Sequence, residues 1–426
     1  MESIIYIILI LLLALFGTPL FVIIGIIALI AFSTAAIDSS AVIVELYRLA
    51  SSPTLLAIPL FTFAGYLLAE SNSPKRIVQL TKALIGWLPG GLAVVALVSC
   101  AIFTAFTGAS GVTIIALGGL LYPILLKENY PEKFSLGLLT TSGSLGLLFP
   151  PSLPIILYGM IAKINIDQLF AAGFIPGLIL LIALSVYSFK HGQKIQIEKT
   201  KFTYENIKSS ISQAIWEIPL PFIIIFGIYS GLFTVTEAAA ITAFYVLLVE
   251  VFIYKDLHLT KDIPKIMLDS MTLVGAILII LGTALGLTNY LIDAEIPMKL
   301  FEFIQKFITS KTLFLILLNI FLLIVGMLMD IFSATIVVVP LIIPIATAFG
   351  VDPIHLGIIF LVNLEIGYVT PPVGLNLFIS SYRFEKPISQ VYRSTIPFIL
   401  IRLIILIFVT YIPQLSLFLV NLLKIQ

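Results

Sequence analysis

The chain is built from long apolar runs separated by short charged connections. Simple runs lie near residues 4–36, 54–69, 168–189, 216–236, 238–254, 271–291 and 395–420. A helix crosses a bilayer in about 20 residues. The runs are continuous and do not alternate with period two. Backbone in lipid must also satisfy its own hydrogen bonds, so these runs predict membrane-spanning helices. Two further spans, near 134–162 and 355–381, are interrupted by Gly and Pro. The first run has no charge between Ile4 and Ala36 and no Lys or Arg before it. It lacks the basic start and clear cleavage site of a secretory signal and reads as a retained span. Being longer than one crossing needs, it tilts, kinks near Gly17-Thr18-Pro19, or runs along the interface.

Two stretches fit no single crossing. Residues 83–126 hold 44 residues without a charge, and residues 312–351 hold 40 with one charge, Asp330. Each has small or polar residues near its middle: Thr107-Gly108-Ala109-Ser110-Gly111-Val112-Thr113 and Met329-Asp330-Ile331-Phe332-Ser333-Ala334-Thr335. Both read as re-entrant helical hairpins that turn inside the protein, where irregular backbone at membrane depth is tolerated. The alternative is two short spans with a buried loop. With both stretches re-entrant, sixteen Lys and Arg fall on one side and six on the other, with Arg402 inside a span. The basic side faces the cytoplasm. The first hairpin then enters from the cytoplasm and the second from outside.

Composition agrees with a membrane chain. Of 426 residues 60% are apolar and 11% charged, with a mean hydropathy of +1.18. That excludes a water-soluble enzyme and a disordered chain. A net charge of +1 leaves no basic face for nucleic acid. Cys100 is the only cysteine, so disulfides and cysteine-rich metal clusters are ruled out by count. The three histidines lie far apart in sequence, which argues against a metal site. No cofactor is expected. Trp87 and Trp216, near span ends, fit interfacial anchors.

The two halves share a pattern. Pro123 and Pro344, Gly146 and Gly367, and Pro150 and Pro371 are each 221 residues apart. The helix near 216–236 has no partner in the first half. As one extra crossing it inverts the second repeat, as the charge count independently suggests. Inverted repeats with paired broken helices mark secondary transporters whose sites lie near the midplane.

A Gly-x-x-x-Pro-Pro sequence cannot continue a helix, because proline lacks the N–H and drives its predecessor out of the α region. The break exposes carbonyls at the end of one half-helix and N–H groups at the start of the next. Carbonyls suit a hard cation such as Na⁺, and N–H groups with the helix dipole suit a carboxylate. The first ion site is expected from Gly108, Ser110, Gly111, Ser144, Gly146 and Pro150. The second is expected from Asp330, Ser333, Gly367, Thr370 and Gly374. Ser142, Pro151, Ser152, Asn363, Pro372 and Asn376 are the candidate substrate contacts. Asp330 either balances a cation or caps the second tip. Glu365 points into a cavity or toward an interface, and intramembrane charges are expensive. Arg402 either anchors a carboxylate or snorkels or pairs with a partner subunit.

At these residues a resemblance becomes specific. Phe106-Thr107-Gly108-Ala109-Ser110-Gly111 and Gly143-Ser144-Leu145-Gly146-Leu147-Leu148-Phe149-Pro150-Pro151-Ser152 resemble first-half motifs of the large membrane subunit of TRAP transporters, the tripartite ATP-independent periplasmic family. Asp352-Pro353-Ile354-His355-Leu356-Gly357 and the run from Asn363-Leu364-Glu365 through Pro371-Pro372-Val373-Gly374-Leu375-Asn376-Leu377-Phe378 resemble its second-half motifs. The first tip departs from the pattern in having fewer Ser than the family leads one to expect.

The resemblance implies an all-α integral membrane protein of elevator-type ion-transporter architecture. It implies Na⁺-coupled uptake of an organic acid, such as a C4-dicarboxylate or sialic acid, across the bacterial inner membrane. The implied partners are a small four-helix membrane subunit and a periplasmic substrate-binding protein. Residues 1–82 would carry scaffold helices of the first repeat, 83–163 its hairpin and broken helix, and 164–215 a span and basic loop. Residues 216–311 would hold connecting and scaffold helices, 312–382 the second hairpin and broken helix, and 383–426 the last span. The rival reading is a self-sufficient Na⁺/dicarboxylate symporter of the same architecture. An intramembrane enzyme lacks the paired catalytic groups it would need, and a channel would pass its solute without saturation.

Overall fold

The structure is a computed structural model and describes residues 10, 12–13, 16–35, 38, 40–88, 90–193 and 203–423. Gly17 takes φ +73° and Pro19 precedes the first helix, α1 (Leu20–Thr34), so the chain breaks where the sequence allows a kink. Most of the first run before Gly17 lies outside the described residues. α2 (Ser40–Ala50) follows, then α3 (Ala57–Glu70), led in by a 3₁₀ turn at Pro53–Leu56.

α4 (Ser73–Ile85) is amphipathic and buries Arg76, which pairs with Glu217, with Glu250 at 3.0 Å and with Asp256 at 2.6 Å. Burial opposes ionisation of Asp256, but hydrogen bonds from Asn72 and Arg76 outweigh it and hold the carboxyl below its usual range. This cluster fixes a helix with polar positions against the end of a distant span. Salt bridges of this kind mostly specify placement rather than add stability.

α5 (Gly91–Thr107) and α6 (Ser110–Lys127) flank the first tip, with a π-helical turn at Ile114–Gly118 inside α6. α7 (Glu132–Ser142), a 3₁₀ turn at Leu145–Leu148 and α8 (Leu153–Ala162) form the first broken helix, bent by 44°. α9 (Ile166–Gln193) and α10 (Tyr204–Gln213) lead to α11 (Pro219–Tyr229). The span expected over 216–236 is thus a helix of only 11 residues. Pro219 and Pro221 withhold N–H donors at its start, and Gly231 at φ +72° turns the chain just past its end.

α12 (Val235–Ile253), α13 (Asp262–Asp293) and α14 (Ile296–Gln305) follow. α15 (Lys311–Leu328) and α16 (Ile331–Ala348) flank the second tip, and α17 (Pro353–Gly367) and α18 (Leu375–Arg383) flank the second break. α19 (Ile388–Tyr411) and α20 (Gln414–Leu422) end the described chain, divided at Pro413. Among the described residues eight helices are long and apolar enough to cross a membrane, or up to nine with the bent α7–α8 pair.

The chain doubles back at both tips. Thr104 and Thr113, nine residues apart across the first, bring their hydroxyls to 2.7 Å. At the far end of the second, Lys311 donates to the Gly350 carbonyl and Phe314 stacks on Phe349 at 4.4 Å. α3 packs against α12 and α13, and α13 against α1 and α2. α7 packs on α19, α15 on α17, and α8 on α16. The spanning helices are apolar all round, as expected where one face meets protein and the other lipid.

Candidate ion and carboxylate site at two helix breaks

In the first half, α5 ends because Gly108 adopts φ +62°, which closes the last turn and lets Ala109 run extended into Ser110. The tip is held by hydroxyls. Thr104 Oγ1 meets Thr113 Oγ1 and donates to the Gly143 carbonyl at 2.9 Å. Gly146 sits against α5 so closely that an added Cβ would lie 2.3 Å from the Ala101 carbonyl oxygen. The break therefore packs on the first arm of its own hairpin. Gly111 instead makes room for the other half, since a Cβ there would meet Ile379 of α18 at 2.6 Å.

The second half builds its tip and break with other turns and other side chains: Met329, 221 residues after the left-handed Gly108, is extended. Asp330 is the N-cap of α16 and accepts from the Phe332 and Ser333 N–H groups, both at 3.0 Å. Tyr368 Oη engages the Ile331 N–H. The Gly374 N–H donates to the Met327 carbonyl at 3.0 Å, tying break to tip. Gly367 packs on Gly326, where a Cβ would lie 2.4 Å from the Gly326 carbonyl carbon. Thr370 donates its hydroxyl hydrogen to the Ile366 carbonyl at 2.7 Å. Its oxygen lone pairs stay free to accept a cation. The Pro150–Pro151 and Pro371–Pro372 bonds are both cis.

The two halves also meet. Ser110 Oγ lies 2.8 Å from Asn376 Oδ1, so the N-terminus of α6 faces the N-terminus of α18. Within the first half, Leu153 at the start of α8 sits against Gly108 of the tip. Arg383 donates to the Ile115 carbonyl at 2.9 Å, satisfying a carbonyl of the π-helical turn and fixing α6 along α18.

Several expected residues are placed otherwise. Asn363 donates to Asn319 Oδ1 at 2.7 Å and to the Ile359 carbonyl at 2.8 Å, and neither partner belongs to a tip or break. Its amide nitrogen is turned toward α15, while its Oδ1 is buried without a hydrogen-bond partner. Ser144 accepts from Arg402 at 3.1 Å, so its hydroxyl is occupied by a guanidinium. Ser142 bonds the Leu139 carbonyl at 3.3 Å within its own helix. Arg402 does not snorkel: it is wholly buried and bonds backbone at both breaks. Glu365 faces it at 3.7 Å. Thr104, Thr113 and Tyr368 hold the tips and are not among the residues expected from sequence; Thr104 lies only two residues before the Phe106-Thr107-Gly108 motif.

Dipoles sort the chemistry. Carbonyl ends of α5, α7, α15 and α17 gather at the breaks, and the N-termini of α6, α8, α16 and α18 lie beside them. Among the described residues thirteen buried polar side-chain atoms make no hydrogen bond, and two of these, Ser152 Oγ before α8 and Asn376 Nδ2 in α18, belong to fully buried residues at the starts of the second half-helices. A buried donor without a partner is costly, which points to a ligand that completes it.

The sequence profile described as "Tripartite ATP-independent periplasmic transporter, DctM component" matches residues 4–415. The chain is 35% identical over 93% of its length, and 92% of the relative's, to the C4-dicarboxylate TRAP transporter large permease protein DctM of Pseudomonas aeruginosa. It is 32% identical to the 2,3-diketo-L-gulonate TRAP transporter large permease protein YiaN of Escherichia coli, over 86% of each chain. Its fold resembles that of the Alcanivorax borkumensis YdaH transporter, with a TM-score of 0.63, 12% identity and 87% of each chain covered. The chain belongs to the DctM family, the large permease component of tripartite ATP-independent periplasmic transporters.

Proposed function

We propose that the chain carries an organic acid into the cell together with Na⁺, by an elevator movement of the hairpins and broken helices against the remaining spans. One observation carries the reading: Ser152 Oγ and Asn376 Nδ2 are buried, unpartnered donors at the starts of the second half-helices. Both dipoles there favour negative charge, and a carboxylate accepts from donors of this kind. Ser152 and Asn376, with the adjoining Pro151 and Pro372, form the substrate contacts of this reading.

The cations lie on the carbonyl side of each break. The first ion uses the Gly108–Ser110 tip with carbonyls near Gly146 and Pro150. The second uses the tip beyond Met329 with Gly367, Thr370 and Gly374. Each tip touches the break of its own half through Thr104 and Gly143 or Met327 and Gly374. The charge of Na⁺ beside the carboxylate makes binding of the two mutually favourable. Relatives named for a C4-dicarboxylate and for 2,3-diketo-L-gulonate support the substrate class. The protein works in the bacterial inner membrane with a small four-helix subunit and a periplasmic substrate-binding protein.

Reconstitution in liposomes tests the reading. The chain with its small subunit and loaded binding protein is expected to take up a C4-dicarboxylate when an inward Na⁺ gradient is imposed. Replacing Na⁺ by K⁺ on both sides should abolish uptake. Equal uptake in K⁺ overturns the coupling, and full uptake by this chain alone replaces the tripartite reading with the self-sufficient symporter.

A further inference from the structure

We infer that Arg402 is a positioning residue that ties the two helix breaks together and fixes the spacing between the sites they build. This rests on the reading that the breaks hold ligands.

Arg402 lies in α19, outside both hairpins and both broken helices, and is 0% exposed. Its guanidinium divides its donors between the halves. One terminal nitrogen donates to the Thr141 carbonyl at the end of α7. The other lies 3.1 Å from Ser144 Oγ and 3.4 Å from the Glu365 carbonyl in the last turn of α17. Ser144 and Glu365 occupy equivalent positions, since 365 − 144 gives the same 221-residue offset as the paired glycines and prolines. One guanidinium therefore stands between matched points of the two repeats.

The ion pair does not account for this placement. Arg402 and the Glu365 carboxylate are 3.7 Å apart, beyond hydrogen-bond length, and neither carboxylate oxygen makes a hydrogen bond among the described residues. Glu365 balances the buried charge, and the hydrogen bonds go to the breaks. A planar fork of five donors serves two separate acceptor groups; an ammonium is a single point. A fixed cation at the C-terminal ends of α7 and α17 also suits both dipoles. It withdraws the Thr141 and Glu365 carbonyls from use as Na⁺ ligands and leaves those nearer the prolines.

Bridging and charge balance are separated by three variants in the complete reconstituted complex: Arg402→Lys, Arg402→Met, and the double variant Arg402→Met with Glu365→Gln. Arg402→Met leaves Glu365 buried without a countercharge and is expected to lose stability. Lysine keeps the charge, and the double variant removes both charges, so both should assemble with the small subunit as the wild type does. Both nevertheless lack the bridge. Their half-saturating Na⁺ concentration for uptake should rise roughly tenfold. Hydrogen exchange read by mass spectrometry should speed up together in peptides covering 141–149 and 365–374, with α12 and α13 unchanged. Wild-type Na⁺ dependence and wild-type exchange in the double variant would overturn the inference and leave Arg402 as a balance for Glu365 alone. Faster exchange at one break only would also overturn it. Na⁺-independent uptake by the wild type would instead overturn the proposed coupling, and the exchange result would still decide whether Arg402 bridges.

Discussion

The two tip-and-break units share glycines and prolines in one 221-residue register and differ in the turns and in nearly every side chain that hold them. Adding 221 to Ala109, Phe149 and Ser144 gives Asp330, Thr370 and Glu365. The first tip closes with a left-handed glycine and a pair of threonine hydroxyls. The second closes with a carboxylate cap and a tyrosine hydroxyl. The constant features are the prolines and Gly146 or Gly367, each pressed onto the first arm of its own hairpin. The chemistry common to both units is therefore backbone chemistry. In the proposed reading carbonyl and N–H groups form the site, and side chains are free to diverge so long as the chain still breaks and turns. Beside the Asp330 carboxylate and the Tyr368 hydroxyl, the second unit has a hydroxyl at Thr370 in place of Phe149.

The strongest test of shared backbone chemistry is Gly146→Ala beside Gly367→Ala. Each new Cβ would lie within 2.4 Å of hairpin backbone, too close for any rotamer to relieve. A shift of about 1 Å between tip and break is expected to lower uptake by roughly 100-fold in both variants. Similar losses in reconstituted uptake support equivalent units; loss in one alone breaks the equivalence.

Thr370→Val probes the added hydroxyl. It withdraws one oxygen at nearly constant volume, which should weaken Na⁺ binding by ~1–3 kcal/mol. The uptake-versus-Na⁺ curve should shift right by roughly five- to hundred-fold with assembly intact. An unmoved curve means that the second unit, like the first, binds its ion by carbonyls and other groups.

Asp330 separates capping from charge. Asp330→Ala should cost about 1 kcal/mol of stability, measured by thermal unfolding of the purified complex, and Asp330→Asn only a few tenths because asparagine caps as well. Transport lost in the stable Asn variant would show that the carboxylate also serves the cation. Thr104→Val is expected to act on stability at one tip and not on Na⁺ dependence. It removes the hydrogen bonds to Thr113 and Gly143 at a cost of roughly 1 kcal/mol. Its signature is faster hydrogen exchange at the first tip only.

How far the sequence can be read follows from the range of the forces involved. Gly146, Gly367 and the Pro-Pro pairs act through their own backbone, so the breaks are legible, and the span starting after Pro53 and the 221-residue register follow the same local logic. Capping by Asp330 is one of two readings open to the sequence, and the cap is what forms. The expected span at 216–236 fails because an apolar run says little about the prolines that shorten it. Asn363 reads as free beside a break, yet its partner Asn319 lies 44 residues away. The reading of Arg402 stays open in the sequence for the same reason: its acceptors lie 37 and 261 residues distant. A single charge in an apolar helix signals importance, and only the packing of α19 against α7 and α17 reveals its partners.

The most direct measurement of the central claim is equilibrium binding of radioactive ²²Na⁺ to the purified complex of this chain with its small subunit, in detergent. If each unit holds one ion, the wild type should bind two Na⁺ per chain. Gly146→Ala and Gly367→Ala should each lose a different one, and the variant with both changes should lose both. Wild-type Na⁺ binding in that double variant would contradict the account, because the breaks would then shape the fold without holding the ions.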